Sequence, residues 1–295
     1  MTEDSKASAR PTPFGADWSA EPLPSVRFGR RLASARLPRW LETPRRAAKR
    51  VAWTWVESRR VDTPLRYAAR ELMTHRRAAY RAHDGTARFV LRHRSGDIEI
   101  FRKFYAYGYY NLPATVSERL EALGRAVNVL DLGANIGFFE VFTRDRLQIG
   151  RVVCVEPDPY NSDVLDQVRR LNGADWEIMR ACAAASDGTT QFNTGRKNLS
   201  RIGSDGDITI ATRDVFPLIA AADLVKMNIE GSEWEVLADE RLASTDAIWI
   251  VEYHRIANPD QDIHGHVRRL FEAGGYVVQQ AQKGEENGLL WAWRP

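Results

Sequence analysis

The 295 residues, 44% of them hydrophobic, are enough for one catalytic domain of about 200 residues and an extension. Cys154 and Cys182 fall in predicted inner strands without metal-ligand spacing, which excludes a cysteine metal site and indicates reduced thiols in a reducing compartment. No signal-peptide pattern begins the sequence and no apolar run approaches about 18 residues, so we expect a cytoplasmic protein without a transmembrane helix.

The net charge of +3 is divided unevenly along the chain. Residues 27–94 hold 19 Lys/Arg and 5 Asp/Glu, whereas residues 95–295 hold 21 and 30, which indicates two regions with different roles. The basic region has three interpretations: a solvated helical face, which we favour, a nucleic-acid site, or a peripheral contact with an anionic surface through residues 27–60. No recognisable nucleic-acid motif is present, so a nucleic-acid partner is not expected, and the oligomeric state stays open.

Composition and pattern predict three regions: a disordered tail over residues 1–26, a basic helical extension with a β-hairpin over 27–114, and an α/β domain over 115–295. An aromatic cluster from Phe101 to Tyr110 ends the extension. We interpret it as packing of the extension onto the α/β domain, because aromatic side chains mostly serve burial. The alternative is a roof over a pocket.

Two Thr-Pro pairs in the extension, at residues 43–44 and 63–64, each combine an N-cap with a proline at the first helical position. They predict one helix to about residue 60 and a second to about residue 81. Residues 86–93 and 97–104 are then predicted to form the two strands of the hairpin.

The α/β domain is organised around residues 127–139, where an apolar strand leads into a glycine-rich turn and a helix start. The turn has Gly133, Asn135 and Gly137, and Asn135 stands where a dinucleotide-binding turn needs its second glycine. A ligand without phosphates, such as S-adenosylmethionine (SAM), needs no such clearance. Asp131, at the end of the strand, is placed to receive an ammonium group.

The second strand ends in Glu156-Pro157-Asp158, about twenty residues past the turn. An acid at this place is well positioned to accept hydrogen bonds from ribose hydroxyls, and we assign that role to Glu156. A third strand over residues 177–184 ends in small residues, and Ala183 and Ala184 would leave a slot for an adenine ring. The polar residues 195–207 are interpreted as a mobile loop beside the pocket.

Strands four and five, over residues 223–228 and 247–251, end in polar clusters, and residues 276–282 and 289–293 form a closing antiparallel pair. This order predicts an α/β fold with a Rossmann-like sheet of seven mostly parallel strands and an antiparallel C-terminal hairpin. It is the layout of a class I methyltransferase.

Five segments in this order resemble the FkbM family of methyltransferases: Asp131-Leu132-Gly133-Ala134-Asn135-Ile136-Gly137, Val155-Glu156-Pro157-Asp158, Ala184-Ala185-Ser186-Asp187-Gly188, Lys226-Met227-Asn228-Ile229-Glu230-Gly231-Ser232-Glu233 and Val251-Glu252-Tyr253-His254. The resemblance covers roughly residues 110–295. It implies SAM as methyl donor and a hydroxyl acceptor on a sugar, a glycolipid or a polyketide-like natural product. The cofactor-binding residues expected on this basis are Asp131, Gly133, Asn135, Gly137, Glu156, Asp158, Ala183, Ala184 and Asn228.

The family commonly has Asp where this chain has Asn228. An amide is neither a base nor a charged metal ligand, so we expect a reaction without a metal ion. An alcohol must lose its proton as it attacks a methyl group, and His254 and Glu230, at the mouths of strands five and four, are the candidate bases. Glu233 and Glu252 are the candidate acceptor-binding residues.

Three other functions are weighed against this one. An NAD(P) oxidoreductase is disfavoured by Asn135. A nucleic-acid methyltransferase would usually carry Asn/Asp-Pro-Pro-Tyr/Phe after strand four, and residues 228–231 do not match it. A catalytically degenerate methyltransferase-like binding module, tethered to an anionic partner by the basic extension, is favoured by Asn228 but disfavoured by the retained glycine turn and Glu156.

Overall fold

A computed structural model describes residues 39–194, 201–202, 206–256 and 260–295. The predicted tail of residues 1–26 and most of the predicted loop lie outside the described residues. The chain divides into a unit of residues 1–44 and a compact unit of residues 45–295. Within the described ranges, no helix is long and apolar enough to cross a membrane.

The α-helices are α1 (Arg39–Ser58), α2 (Pro64–Met73), α3 (Asp97–Tyr105), α4 (Ala114–Ala122), α5 (Phe138–Arg144), α6 (Pro159–Leu171), α7 (Phe216–Ile219), α8 (Glu233–Leu237) and α9 (Ile263–Ala273). The strands are β1 (Arg77–Arg81), β2 (Arg88–Arg92), β3 (Val127–Leu132), β4 (Ile149–Val155), β5 (Glu177–Met179), β6 (Cys182–Ala184), β7 (Gly188–Asn193), β8 (Arg201–Ile202), β9 (Ile208–Asp214), β10 (Leu224–Met227), β11 (Ile248–His254), β12 (Val277–Lys283) and β13 (Asn287–Trp293).

The main sheet has seven strands in the order β12-β13-β11-β10-β3-β4-β5. Strands β11, β10, β3, β4 and β5 run parallel, and β13 lies antiparallel between β11 and β12. The predicted fold class is therefore confirmed. Alternate side chains of the central strands enter two hydrophobic clusters, one on each face, because helices cover both sides of a parallel sheet.

The third predicted strand is divided between two sheets. Residues 177–179 form β5 at the edge of the main sheet, whereas residues 182–184 form β6 in a second sheet of order β6-β9-β7-β8. Strand β9 was not predicted, because its residues alternate between exposed and half-buried and its sequence lacks an apolar face.

The extension differs from the prediction at three places. Helix α1 begins at Arg39, before the predicted Thr-Pro start, and α2 ends at Met73 instead of continuing to about residue 81. Residues 77–81 are strand β1, which forms the hairpin with β2. Residues 97–105, predicted as a strand, are helix α3 because Ile98, Phe101 and Phe104 recur at helical spacing and are buried together.

The aromatic cluster packs the extension onto the α/β core, as predicted. Phe101 and Phe104 lie 6.3 and 6.0 Å from Phe138 of α5, measured between ring centroids. Phe104 also stacks on Tyr110 at 4.0 Å. The division of the chain at residue 115 stays a prediction, and the segment before it shares one hydrophobic cluster with the main sheet.

Candidate active site

A cleft opens at the carboxyl ends of β3, β4, β10 and β11, where open parallel sheets bind their ligands. It contains about 990 Å³ of empty space, counting its open mouth, which suits a small organic ligand. The predicted residues that line it are Asp131, Gly133, Asn135, Glu156, Ala183, Asn228, Glu230 and Glu252. The predicted residues outside its described lining are Gly137, Asp158, Ala184, Glu233 and His254.

The turn after β3 is compact because three of its residues have left-handed backbone conformations. The φ angles of Gly133, Asn135 and Gly137 are 80°, 51° and 87°. A Cβ atom on Gly133 would lie 1.9 Å from the carbonyl oxygen of Asn228, so glycine is required where β3 and β10 end. Gly137 begins α5 and makes room for Leu165 of α6, so its role here is packing.

Glu156, after β4, lies in the cleft with its carboxylate held by the backbone. Its Oε2 accepts a hydrogen bond from the N–H of Asn135 at 2.7 Å, and its Oε1 accepts one from the N–H of Asp158 at 2.9 Å. Burial raises the pKa of Glu156 to about 7, although both hydrogen bonds oppose the rise. The Oε1 also accepts a hydrogen bond from the Asn161 side chain at 3.4 Å, but the Oε2 can accept a further one, so Glu156 can still bind a ligand hydroxyl.

Asp158 has a structural role in the described site. Its side chain accepts a hydrogen bond from the N–H of Tyr160 at 2.8 Å and caps α6. Its contribution to the cleft is its backbone N–H group, which donates a hydrogen bond to Glu156. Of the two predicted alanines, Ala183 lines the cleft, whereas Ala184 pairs with Asp214 in the second sheet.

A buried ion pair lies beneath the glycine turn. The register of β3 and β10 places Lys226 opposite Asp131, and the Lys226 Nζ lies 2.8 Å from the Asp131 Oδ1. Lys226 also donates to the carbonyl oxygen of Gly133 at 2.6 Å. Burial opposes the charge on Lys226, but Asp131 raises its pKa. Asp131 thus already has a cationic partner, which argues against its predicted contact with an ammonium group.

Glu140 of α5 is a second buried acid behind this pair. The Cys154 thiol donates to the Glu140 Oε1 at 3.0 Å. Burial and the nearby Asp131 raise the pKa of Glu140 well above its usual value, which favours its protonated form.

Glu252 joins the extension to the sheet at the cleft. It pairs with Lys103 of α3 at 2.5 Å and accepts hydrogen bonds from Tyr110 at 3.1 Å and Asn228 at 3.2 Å. Burial opposes ionisation of Glu252, but Lys103 in particular holds its pKa below the usual value. Glu252 is therefore an ionised anchor, and an Asp in place of Asn228 would face it with a like charge.

His254 lies among three carboxylates at the end of β11. Its Nδ1 is 2.9 Å from Glu233, and its Nε2 is 3.8 Å from Glu230 and 3.9 Å from Glu252. Burial lowers the pKa of His254, but the hydrogen bond and charge of Glu233, with the other two carboxylates, raise it to about 9. A histidine that carries a proton at neutral pH cannot accept one, so the geometry argues against His254 as the base.

Glu230 differs from the other carboxylates around His254 in its backbone conformation and its hydrogen bonding. It follows β10 with a φ of 55°, a strained conformation for a residue with a side chain. Within the described residues its carboxylate accepts no hydrogen bond, and it lies beside His254 with its side chain 28% exposed. Burial, together with Glu252 and Glu233, raises the pKa of Glu230, against the effect of His254. Glu230 is therefore the carboxylate that is free to accept a proton.

Sequence analysis missed the residues that the extension brings to the cleft. Lys103 and Tyr110 line it, although they precede the glycine turn by more than twenty residues. The neighbouring Arg102 and tyrosines have similar polar tips, so no local signal marked Lys103 and Tyr110. Lys226 is a charged residue within an apolar strand, but its partner depends on the register of β3 and β10.

Comparison with known proteins gives one match to a protein-family model. The model for the methyltransferase FkbM domain matches residues 131–278, which is half of the chain. This match begins at Asp131 and extends into β12, so it contains the glycine turn and the acids after β10 and β11. No curated protein sequence matches the chain significantly.

Three solved structures are similar to the chain. A methyltransferase FkbM from Methylobacillus flagellatus KT has 14% identity and a TM-score of 0.45, over 84% of this chain and 60% of that one. Magnesium protoporphyrin IX methyltransferase from Synechocystis PCC 6803, with bound SAM, has 13% identity and a TM-score of 0.38, over 66% of this chain and 84% of that one. Fibrillarin from Aeropyrum pernix, also with bound SAM, has 12% identity and a TM-score of 0.38, over 57% of this chain and 66% of that one. The chain thus spans less than two thirds of the Methylobacillus and Aeropyrum chains.

Proposed function

The chain belongs to the FkbM family of SAM-dependent methyltransferases, and we propose that it methylates a hydroxyl group on a sugar, a glycolipid or a polyketide-like natural product. The observation that carries this proposal is the Glu230 carboxylate. It lies in the cleft wall, accepts no hydrogen bond from the described residues and has a raised pKa. A hydroxyl nucleophile needs such a proton acceptor.

The described residues of the cleft fit SAM. The buried side-chain oxygens of Asn135 and Asn228 have no hydrogen-bond partner among the described residues. These oxygens can accept from the ammonium and hydroxyl groups of the cofactor. Glu156 would hold the ribose, and Ala183 would adjoin the adenine. When bound, SAM supplies an electrophilic methyl group on a positively charged sulfur.

The chain's own contribution to the reaction is to align and deprotonate the acceptor. Glu230 removes the hydroxyl proton as the oxygen attacks. Its strained backbone fixes the carboxylate at the cleft wall, so little freedom is lost when the acceptor binds. His254, protonated and paired with Glu233, stabilises the charge that Glu230 carries before it takes the proton.

The other polar residues position the acceptor. Glu252 is ionised and holds Lys103, Tyr110 and Asn228 at the cleft wall, where the remaining polar capacity of these groups can bind acceptor hydroxyls. The ring of Phe104 beside Tyr110 offers an apolar surface to the acceptor. A polar anchor next to an aromatic wall suits a sugar or another polyhydroxylated molecule.

We also propose that the reaction needs no metal ion. Two of the three carboxylates around His254 already have cationic partners in the chain, since Glu252 pairs with Lys103 and Glu233 pairs with His254. Activity should therefore survive treatment with EDTA. Loss of activity with EDTA and its recovery with Mg²⁺ would contradict this part of the proposal.

SAM binding should depend on pH through Glu156. Its pKa of about 7 means that the free protein holds this proton up to neutral pH, whereas hydroxyl donors favour the ionised carboxylate. We expect SAM affinity to rise between about pH 5.5 and 7.5, with release of up to one proton. Calorimetry in buffers of different ionisation enthalpy measures this proton. Glu156→Gln should bind more weakly and release none, and equal proton release by this variant would contradict the assignment.

The proposed function is tested first by cofactor binding and then by transfer. Calorimetric titration with S-adenosylhomocysteine should show binding, and NADH should show none. The chain is then incubated with radiolabelled SAM and sugars, glycolipids and polyketide-like alcohols, each beside an analogue whose hydroxyls are blocked. Label should enter only acceptors with free hydroxyls. Transfer to blocked analogues would overturn O-methylation. Absence of S-adenosylhomocysteine binding in a folded sample would favour the degenerate binding module.

A further inference from the structure

Helix α1 buries polar side chains and exposes apolar ones. In the described part of α1, the buried side chains are Thr54, Glu57 and Ser58, which are polar. Neighbouring positions of the helix expose Val51, at 53%, and Trp55, at 56%. A helix on the surface of a globular protein normally turns its apolar stripe toward the core. Helix α1 turns it toward solvent.

The second helix shows the same reversal. Helix α2 buries Tyr67 and Glu71 and exposes Leu65, at 82%, and Met73, at 76%, with Leu72 beside Met73. Leu65, Leu72 and Met73 recur at helical spacing, so they share one face. Of the ten large hydrophobic residues that are exposed in the described chain, six lie between residues 51 and 73. This concentration marks an interaction surface rather than scattered exposure.

The two helices lie side by side and present this face together. Tyr67 of α2 donates to Glu57 of α1 at 3.0 Å, and Arg50 of α1 donates to the carbonyl oxygen of Glu71 in α2. These contacts join the buried sides of both helices. The exposed apolar sides therefore point away from the body of the protein, and we call residues 45–77 with this face the helical surface.

The exposed charge of the helical surface is positive. Residues 45–77 contain ten Lys/Arg and three Asp/Glu. All three acids are engaged: Glu57 is buried against Arg102, Glu71 is buried against His93, and Asp62 pairs with Arg81. Arg59 also lies over the ring of Trp55, at 4.9 Å from its centroid. The apolar face is thus framed by cations whose charge the surrounding acids do not cancel.

We propose that the helical surface binds the surface of an anionic phospholipid bilayer. Exposed Leu, Met, Val and Trp side chains enter the boundary between headgroups and acyl chains, and Lys and Arg around them attract the anionic headgroups. A nucleic-acid partner would use the positive charge but would leave Leu65 and Met73 in water. The helical surface adjoins the cleft, because Arg102 pairs with both Glu57 and the cleft residue Glu99.

The test measures vesicle binding by the full chain, with no acceptor or turnover involved. Sedimentation with phosphatidylcholine vesicles is compared with sedimentation with vesicles that also contain phosphatidylglycerol. We expect binding at least about tenfold tighter to the anionic vesicles, and weaker binding at high salt. Equal binding to both vesicles, or no binding at low salt, would overturn the proposal.

Variants separate the apolar face from charge alone. Leu65→Glu/Met73→Glu should lose about tenfold or more in vesicle affinity, because two apolar contacts are replaced by charges that anionic lipid repels. Leu123→Glu changes an exposed leucine directly after α4, and this variant should bind vesicles as the wild type does. S-adenosylhomocysteine binding reports that each variant is folded. The proposal would be overturned if the double variant bound vesicles as tightly as the wild type. It would also be overturned if the wild type formed a dimer, the double variant were monomeric and neither protein bound vesicles.

Discussion

Glu230→Gln is expected to lower kcat about 100-fold or more while SAM affinity stays nearly unchanged. Glutamine keeps the size of the side chain and its hydrogen-bonding oxygen but cannot take a proton. Because the pKa of Glu230 is raised, kcat of the wild type should increase with pH through that pKa as the carboxylate becomes ionised. The profile of the variant should lose this step. Single-turnover rates with an identified acceptor provide the measurement.

Two further variants test whether the loss of kcat in Glu230→Gln comes from the missing proton acceptor. Glu235→Gln makes the same chemical change on an exposed position of α8 and should leave kcat intact. His254→Gln removes the cation beside Glu230 and should raise the pKa seen in the rate profile without abolishing turnover, since His254 lowers the pKa of Glu230. If Glu230→Gln turned over at the wild-type rate and His254→Gln were inactive, Glu230 would not be the base.

Lys226→Met is expected to lower the free energy of unfolding by about 3–5 kcal/mol, because it leaves the buried Asp131 charge without a partner. Methionine preserves most of the volume, so lost packing contributes little. Urea denaturation followed by circular dichroism measures the change. The double variant Lys226→Met/Asp131→Asn should regain part of the loss, because no unpaired charge remains.

The surface pair Arg125–Asp223 is the matched control for the buried pair. Arg125 is 53% exposed, so solvent screens its interaction and Arg125→Met should destabilise far less than Lys226→Met. Equal losses for the two variants would mean that burial of the Lys226–Asp131 pair does not set its contribution. A double variant no more stable than Lys226→Met would mean that Asp131 is not the group left unpaired.

The cofactor side of the cleft could be predicted because its residues are local in sequence. The turn at Gly133 needs residues with positive φ directly after a strand, and this need appears in the sequence as closely spaced glycines. Glu156 follows from the spacing of one strand and helix. The sheet order followed from alternating strands and helices, since chain connectivity restricts a parallel sheet to few arrangements.

The acceptor side could be predicted only in part, because its contacts join distant residues. The Lys103–Glu252 pair links positions 149 residues apart, and no periodicity indicates it. Residues 97–104 also fit a strand, because Ile98 and Ile100 alternate with polar residues over this short segment. The segment is a helix because only a helix buries Phe101 and Phe104 together against the core. The charge of His254 depends on three carboxylates, of which only Glu252 is near it in sequence.

The contacts of Lys103 and Tyr110 with Glu252 show that two parts of the chain form the walls of the cleft. The family match begins at residue 131 and supplies the cofactor half, whereas residues 97–110 supply the opposite wall. Under the proposed function, we expect mutation in this short upstream segment to alter which acceptor fits. Exchange of residues 97–110 between relatives is therefore a direct route to new acceptor specificity, provided that each donor segment keeps a cation opposite Glu252.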